Sequence, residues 1–467
     1  MLPDRRSLPR PTRAWFASVA LLLCAVSAIA SAVRPGTSTA ATAVTGCAVP
    51  ATAVPDPLRP SYRLDVVVDP VGQRASGTVE VDFVPDLTTD RLVFRLWPNR
   101  PAVGAAPNRL VVGDVTVDGA TASSTLPDPT TLVVALGRTV PAGQHVQASV
   151  GWTLRLVGWR GDRISRTGSG DGTAIRLGSF APVLAWEPGV GWDLTPPIRD
   201  RTEASMTPTA DYRLSVRVPD GFDVLASGVP DGAGVWTATA VRDVAISVGH
   251  FRMATGVAHA PNPVAVTVGV QRGLPDDPTR YVQRIISALE AHGGRFGAYP
   301  WPSYSVAITP DLKGGIEYPM HVMQGPNSIG RSTPHEVAHM WFYGLVGNDQ
   351  GRDPWLDEGL ATWAETRSEG TLAAFQAKPV PSVGRNRVGA PMKFWDANVT
   401  AYYRSVYVQT TQMLATLGTA AQVDCALRIY VARNAYRVAR PADLVVALEA
   451  VFPDAGAVLT RWGALGG

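Results

Sequence analysis

The sequence predicts an α+β multidomain chain: an N-terminal antiparallel β-sandwich or saddle, then a region that mixes strands with helices. Three observations carry this. At 467 residues the chain exceeds one ordinary domain. From Tyr62 to Val248 apolar and polar residues alternate in short runs between turn residues, as half-buried strands do. From Thr279 onward apolar residues recur at helical spacing instead. A hydrophobic content of 46% against 17% charged residues fits large buried cores.

The elements follow in order. Residues 34–57, rich in Ala, Thr, Pro and Val and poor in charge, read as an extended linker. Residues 58–257 form the β domain. Arg63–Asp69 and Ala75–Phe83 are its first strands, with further ones at 91–96, 109–117, 131–136, 145–154, 212–218, 222–227, 234–240 and 244–248. Residues 258–467 form the second domain. It opens on a strand at 263–270 and a helix over 279–299, where Val282, Ile285, Ile286, Leu289 and Phe296 share one face. A strand at 303–308 and a strand edge at 314–319 precede two short helices around residues 335 and 358, and helices dominate from Tyr402 to the end.

Residues 1–33 carry address information. Arg5, Arg6, Arg10 and Arg13 precede an apolar run from Ala14 to Val33, with small-residue cleavage patterns at Ala28-Ile29-Ala30 and Ala30-Ser31-Ala32. A cleaved signal peptide, an uncleaved membrane anchor, and a lipid anchor on the lipobox-like Val44-Thr45-Gly46-Cys47 all remain open, and each exports the rest of the chain. Such a leader and the Ala, Arg, Pro and Gly bias point to a bacterial protein, secreted or held at the cell envelope. Cys24 would leave with a cleaved signal. Cys47 and Cys425 remain as a pair suited to a disulfide in an oxidising compartment. The formal charge of +3 is matched by residues 1–32 alone, so the remainder is near neutral. Nothing points to nucleic acid, and a membrane partner enters only through the N-terminal anchor.

The chemistry concentrates in His335-Glu336-Val337-Ala338-His339, followed by Glu358 after eighteen intervening residues. Histidines four apart on a helix share a face one turn apart, so both imidazoles reach one metal ion. A carboxylate as third ligand leaves a tetrahedral Zn²⁺ one open position, the mark of a hydrolytic rather than a structural site. Ser332, Thr333 and Pro334 form a helix start before the first histidine, and Met340, Trp341, Phe342 and Leu345 give the helix an apolar side. Pro354 opens the next helix, which carries Glu358.

These residues resemble the aminopeptidase N (alanyl aminopeptidase) family of gluzincins. The likeness rests on the HExxH helix, the glutamate after its gap, and the segment Trp355-Leu356-Asp357-Glu358-Gly359-Leu360-Ala361. Upstream, Gly314-Gly315-Ile316-Glu317-Tyr318 is similar to the family's G-x-M-E-N exopeptidase motif, with Ile316 for Met and Tyr318 for Asn. Tyr407-Val408-Gln409-Thr410 aligns loosely with its Y-x-K-G segment. The resemblance implies a β-rich N-terminal domain, a thermolysin-like catalytic domain, and one zinc ion held by His335, His339 and Glu358. It implies Glu336 as general base and Glu317 as anchor for the α-ammonium of a peptide. Gly314 and Gly315 let substrate backbone approach, and Tyr407 stabilises the oxyanion, with Tyr402 and Tyr403 as neighbours able to take that part. Thr362, one turn after Glu358, could bond a ligand but reads first as a helix hydroxyl bonded to its own backbone, and His321 reads as structural. Larger family members add a helical superhelix over the site, so a more open cleft is expected here.

The expected activity is therefore an exported zinc aminopeptidase acting on peptides. An endopeptidase of the same chemistry, or a surface binding module beside an idle metal site, are the alternatives.

Overall fold

The computed structural model describes residues 47–101, 109–156, 163–195 and 207–465. The expected signal or anchor over 1–33, Cys24 and the first part of the linker lie outside the described residues. No helix among the described residues is long and apolar enough to cross a membrane.

Four sheets occupy the first half among the described residues. An eight-stranded sheet is ordered Val229–Pro230, Val235–Val241, Ala210–Arg217, Ser61–Asp69, Arg74–Phe83, Val146–Arg155, Arg109–Val117, Ala120–Thr121. Its strands alternate as the sequence does: Tyr62, Leu64, Val66 and Val68 are buried while Ser61, Arg63 and Val67 face outward. The antiparallel expectation needs one correction. Ser61–Asp69 runs parallel to Ala210–Arg217, with Tyr62 opposite Tyr212 and their rings stacked at 4.7 Å. Turn residues mark only hairpins, so a parallel partner that arrives late in the chain leaves no local signature. A two-stranded sheet, Trp186–Glu187 with Gly191–Trp192, and two four-stranded sheets complete this half. One four-stranded sheet holds Thr89–Arg95 and Thr131–Val140 at its centre, and the other is ordered Asp223–Ala226, Ala245–Gly249, Ala174–Gly178, Ile164–Thr167.

The second half is built on a five-stranded sheet ordered Phe251–His259, Pro263–Gln271, Ser303–Ile308, His321–Gln324, Gly315–Tyr318. Its first strand starts at Phe251, ahead of the boundary expected at 258. Most side chains of that strand are exposed or half-buried, so no apolar alternation announces it. Helix α1, Pro278–Phe296, packs on this sheet. Asp277 caps it by accepting from the Thr279 amide, Pro278 takes the first turn, and Gly297 ends it at φ +111°. Its buried face is Tyr281, Val282, Ile285, Leu289 and Phe296.

Two further helices carry the candidate ligands His335 and Glu358, with His339 capping the end of the first. Helix α2 is Ser332–Ala338 and helix α3 is Glu358–Glu369, entered through a short 3₁₀ turn at Pro354–Leu356. Beyond His339 the regular ladder stops. The amides of Gly344, Leu345 and Val346 reach back five residues, to the carbonyls of His339, Met340 and Trp341. Met340, Trp341, Phe342 and Leu345 are buried as expected, but in a widened turn rather than a continuing helix. At the start of the described chain, Cys47 forms a disulfide with Cys425 on the helix Ala420–Asn434, and the Ala53 amide donates to the Ala432 carbonyl at 2.8 Å. The end of the expected linker is thus fastened down.

Candidate metal centre

Helix α2 delivers both histidines to one point. Pro334 sits in its first turn, where a missing amide costs nothing, and His292 on α1 bonds the Pro334 carbonyl at 2.9 Å. His335 Nε2 and His339 Nε2 are 3.1 Å apart. Glu358 Oε2, from the first residue of α3, lies 3.1 Å from the first and 3.4 Å from the second. Three ligand atoms around a tetrahedral zinc with bonds of about 2.0–2.1 Å stand about 3.3 Å from one another. The donor set fits that ion in kind and in spacing. Two imidazole nitrogens facing a carboxylate oxygen also make a poor closed set by themselves, because three acceptors cannot bond one another without a cation or a proton between them.

The electrostatics agree. Although burial opposes charge, Glu358 and Glu365 push His335 up to about 10, and Asp357, Glu358 and Glu317 raise His339 as well. Burial would raise the Glu358 carboxyl, but the two imidazoles outweigh it and hold it well below the usual carboxylate range. The surroundings are built to hold positive charge.

A carboxylate stands behind each histidine, bonded to His339 and at ion-pair distance from His335. His339 Nδ1 lies 2.6 Å from Asp357 Oδ1, and Gln350 Nε2 donates to the other Asp357 oxygen. His335 Nδ1 stands 3.4 Å from Glu365 Oε2, and Glu365 is paired with Arg331. Carboxylates behind ligating imidazoles fix the tautomer and raise ligand basicity. Sequence reasoning missed Asp357 and Glu365, although Asp357 adjoins Glu358 and Glu365 lies two turns farther on the same helix face. Thr362 is no such partner, since its hydroxyl donates to the Glu358 carbonyl of its own helix at 2.7 Å.

The centre opens on a cleft of about 310 Å³ lined by Gly314, Gly315, Glu317, Glu336, Tyr403 and Tyr407 among others. Glu336 is 5% exposed, and its carboxylate packs against Gly315, where a Cβ would collide with it. Gly315 therefore makes room for Glu336, while Gly314, at φ +92°, permits the left-handed turn before the strand. Glu317 is 6% exposed and offers an oxygen within 4.8 Å of ligand atoms of His339 and Asp357. Burial, partly offset by His339 and reinforced by the neighbouring carboxylates, pushes it up to about 7.

Tyr407 sits in a π-helical turn, Arg404–Val408, with its ring stacked on His335 at 5.7 Å. Burial, helped by the Glu358 charge, holds its phenol well above the ordinary value, so it stays a proton donor. Of the neighbouring tyrosines, Tyr403 accepts from Arg331 at 2.8 Å at the cleft rim, and Tyr402 packs against Trp395 and Tyr407. His321 lies away from the ligand set, its ring nitrogens bonded to Ser305 at 2.7 Å and Ser247 at 2.9 Å.

No family model matches the chain. Among curated proteins, leukotriene A-4 hydrolase of Xenopus laevis is 30% identical over 96 residues, 19% of this chain and 16% of that protein. Leucine aminopeptidase 2 of Ajellomyces capsulatus is 27% identical over 198 residues, 37% of this chain and 30% of that protein. The matched part of the chain thus spans under a third of these relatives' length. Among solved structures, an M1 zinc metallopeptidase from Deinococcus radiodurans superposes with a TM-score of 0.62 at 19% identity, over 87% of this chain and 94% of that one. A variant from that organism, bound to a Tyr-Ser-Ala substrate, gives the same TM-score. At this identity the likeness concerns the fold.

Proposed function

We propose that this chain, one of the M1 aminopeptidase-like gluzincins, is an exported zinc aminopeptidase that removes N-terminal residues from peptides. In this reading the N-terminal sheets are the family's β-sandwich or saddle, and the half from Phe251 on is its thermolysin-like catalytic domain. The observation that carries the reading is Glu317, a buried carboxylate in the same cleft as the His335, His339 and Glu358 set. A carboxylate there pairs with an α-ammonium and so selects free N-termini. Peptide substrates are supported by the peptide held in the similar Deinococcus radiodurans structure. Export is supported by the arginine-led apolar leader and by the Cys47–Cys425 disulfide, which an oxidising compartment preserves.

His335, His339 and Glu358 would hold a single zinc ion, which when bound would supply Lewis-acid polarisation and acidify water at the site. Glu336 takes the proton from the attacking water and passes it to the leaving amine. The Tyr407 hydroxyl donates to the oxyanion that develops on the scissile carbonyl. Glu317 holds the ammonium so that only the first peptide bond meets the attacking water.

The test compares aminoacyl and N-blocked fluorogenic peptides, before and after chelation and zinc add-back, in the wild type, Glu317→Ala and Glu336→Gln. Cleavage of free-amine substrates alone, lost on chelation and restored by zinc, is expected. Glu336→Gln should lose on the order of 10²–10⁴-fold in kcat. Cleavage of blocked peptides only would replace this reading by an endopeptidase, and full activity in Glu336→Gln would remove the proposed base.

A further inference from the structure

We propose that Tyr318 is a positioning residue for the amine anchor, and that through it the N-terminal sheets set where Glu317 stands. The inference rests on the reading of Glu317 as the ammonium partner.

Glu317 and Tyr318 are consecutive in the strand Gly315–Tyr318, so their side chains leave on opposite faces. That strand is the edge of its sheet, bonded on one side only, to His321–Gln324, with Glu317 opposite Val322 and Tyr318 opposite His321. It is four residues long, entered through Gly314 at φ +92° and left through a tight turn in which Met320 takes φ +64°. So short an edge gives Glu317 little backbone support. The carboxylate also shares its buried space with Glu336, Asp357 and Glu358, whose like charges act on it.

Support comes from the other face. Tyr318 is fully buried and leaves its own sheet for the end of the strand Ala174–Gly178. Its ring lies over Gly178, where an added Cβ would collide with both ring and hydroxyl. The hydroxyl is 3.0 Å from Ser179 Oγ, and Ser179 in turn donates to Asp243 Oδ2 at 2.9 Å. Arg163 Nη1 donates to the same hydroxyl at 3.4 Å. Tyr318 further packs with Ala245, Leu312 and Met323 in a small core of their own. Arg163, Gly178, Ser179, Asp243 and Ala245 all precede Phe251, the start of the five-stranded sheet. The position where the resembled motif has asparagine is therefore occupied by a plug that fastens the anchor strand to the preceding sheets. Gly178 is the matching socket, a glycine not required by its φ but by the ring it accepts.

The mechanical consequence concerns one substrate feature only. Loss of the hydroxyl frees the edge strand and moves Glu317, while the zinc ligands sit on α2 and α3 and keep their places. The probe is a pair of zinc-chelating ligands, leucine hydroxamate and its des-amino counterpart 4-methylpentanohydroxamate, measured for binding to the zinc-loaded full chain. Tyr318→Phe and Ser179→Ala should each weaken the amino ligand by about three- to tenfold, the effect of one lost hydrogen bond, and leave the des-amino ligand within about twofold. Equal weakening of both ligands in these variants, or no loss for the amino ligand, overturns the proposal. Should Tyr318→Phe fail to fold, Ser179→Ala alone decides. Glu317→Ala separates the two readings. If the preference for the amino ligand survives it, Glu317 is not the anchor and both readings fall. If Glu317→Ala abolishes the preference and the Tyr318 and Ser179 variants keep it, only the positioning role falls.

Discussion

At the scale of single residues, the candidate centre is shaped by groups outside the His335, His339 and Glu358 triplet. Asp357 is 1% exposed and sits 2.6 Å behind His339, with Gln350 bonded to its other oxygen. Removing it leaves His339 Nδ1 only the Phe342 carbonyl, at 3.2 Å, and takes away the charge that raises the basicity of the ring. Asp357→Ala should therefore weaken zinc affinity about 10–100-fold, measured by competition with a chromophoric chelator on the apoprotein. Unchanged affinity in a folded variant would reduce Asp357 to a packing group. Gly315 works differently: its missing Cβ is the space in which the Glu336 carboxylate lies. The meeting of His335 and His339 is legible in spacing because helical geometry brings residues four apart together, whereas Glu358 joins them from a second helix. The roles of Asp357 and Gly315 are not legible there, because they arise from contacts between segments.

At the scale of elements, regular periodicity separates what could be read from what could not. The strand Arg109–Val117 and the strand Ser303–Ile308 fall where alternation puts them, and α1 where its apolar face does. Phe251–His259 was missed because its exposed face carries no apolar pattern. The parallel pairing of Ser61–Asp69 was missed because pairing direction is not a local property. The segment 404–415 shows the same limit at the site. Its helical character is legible, but the π-helical turn Arg404–Val408 is not, and that turn aims Tyr407 at the His335 ring. The approach also needs Gly359 on α3, where a Cβ would strike the Thr410 side chain. A turn of wider pitch is a common device for setting a functional side chain off the helical register. With the phenol held protonated by burial, Tyr407→Phe should lower kcat by about 10²–10³-fold, the loss expected for one oxyanion donor, with zinc content unchanged. Steady-state kinetics on a metal-analysed sample checks this, and a change confined to KM would assign Tyr407 to substrate binding instead.

At the scale of the whole molecule, buried polar links tie distant segments together. The Cys47–Cys425 disulfide closes a loop with a sequence separation of 378, so it constrains nearly the whole described chain. His321 is a second link, bonded through Ser247 to the sheet of Ala245–Gly249 and through Ser305 to the five-stranded sheet. It is fully buried among groups that bond a neutral ring, and burial pushes its pKa down to about 3. In the unfolded chain the same imidazole titrates near 6.5. Below that pH the unfolded state binds a proton that the native state refuses. The stability contributed by the neutral ring is thus complete above about pH 6.5 and is lost as pH falls toward the folded value, by about 1.4 kcal/mol per pH unit. His321→Gln removes the titration and keeps a side chain able to bond hydroxyls. The variant should be less stable than the wild type at neutral pH, and the gap should narrow by about 2 kcal/mol between pH 6.5 and pH 5. Urea unfolding of both proteins at the two pH values measures that gap directly. His292, which burial pushes down to about 4, titrates alike in both proteins and cancels in the difference. A gap that stays constant would mean that His321 opens to water and takes its proton before the sheets part.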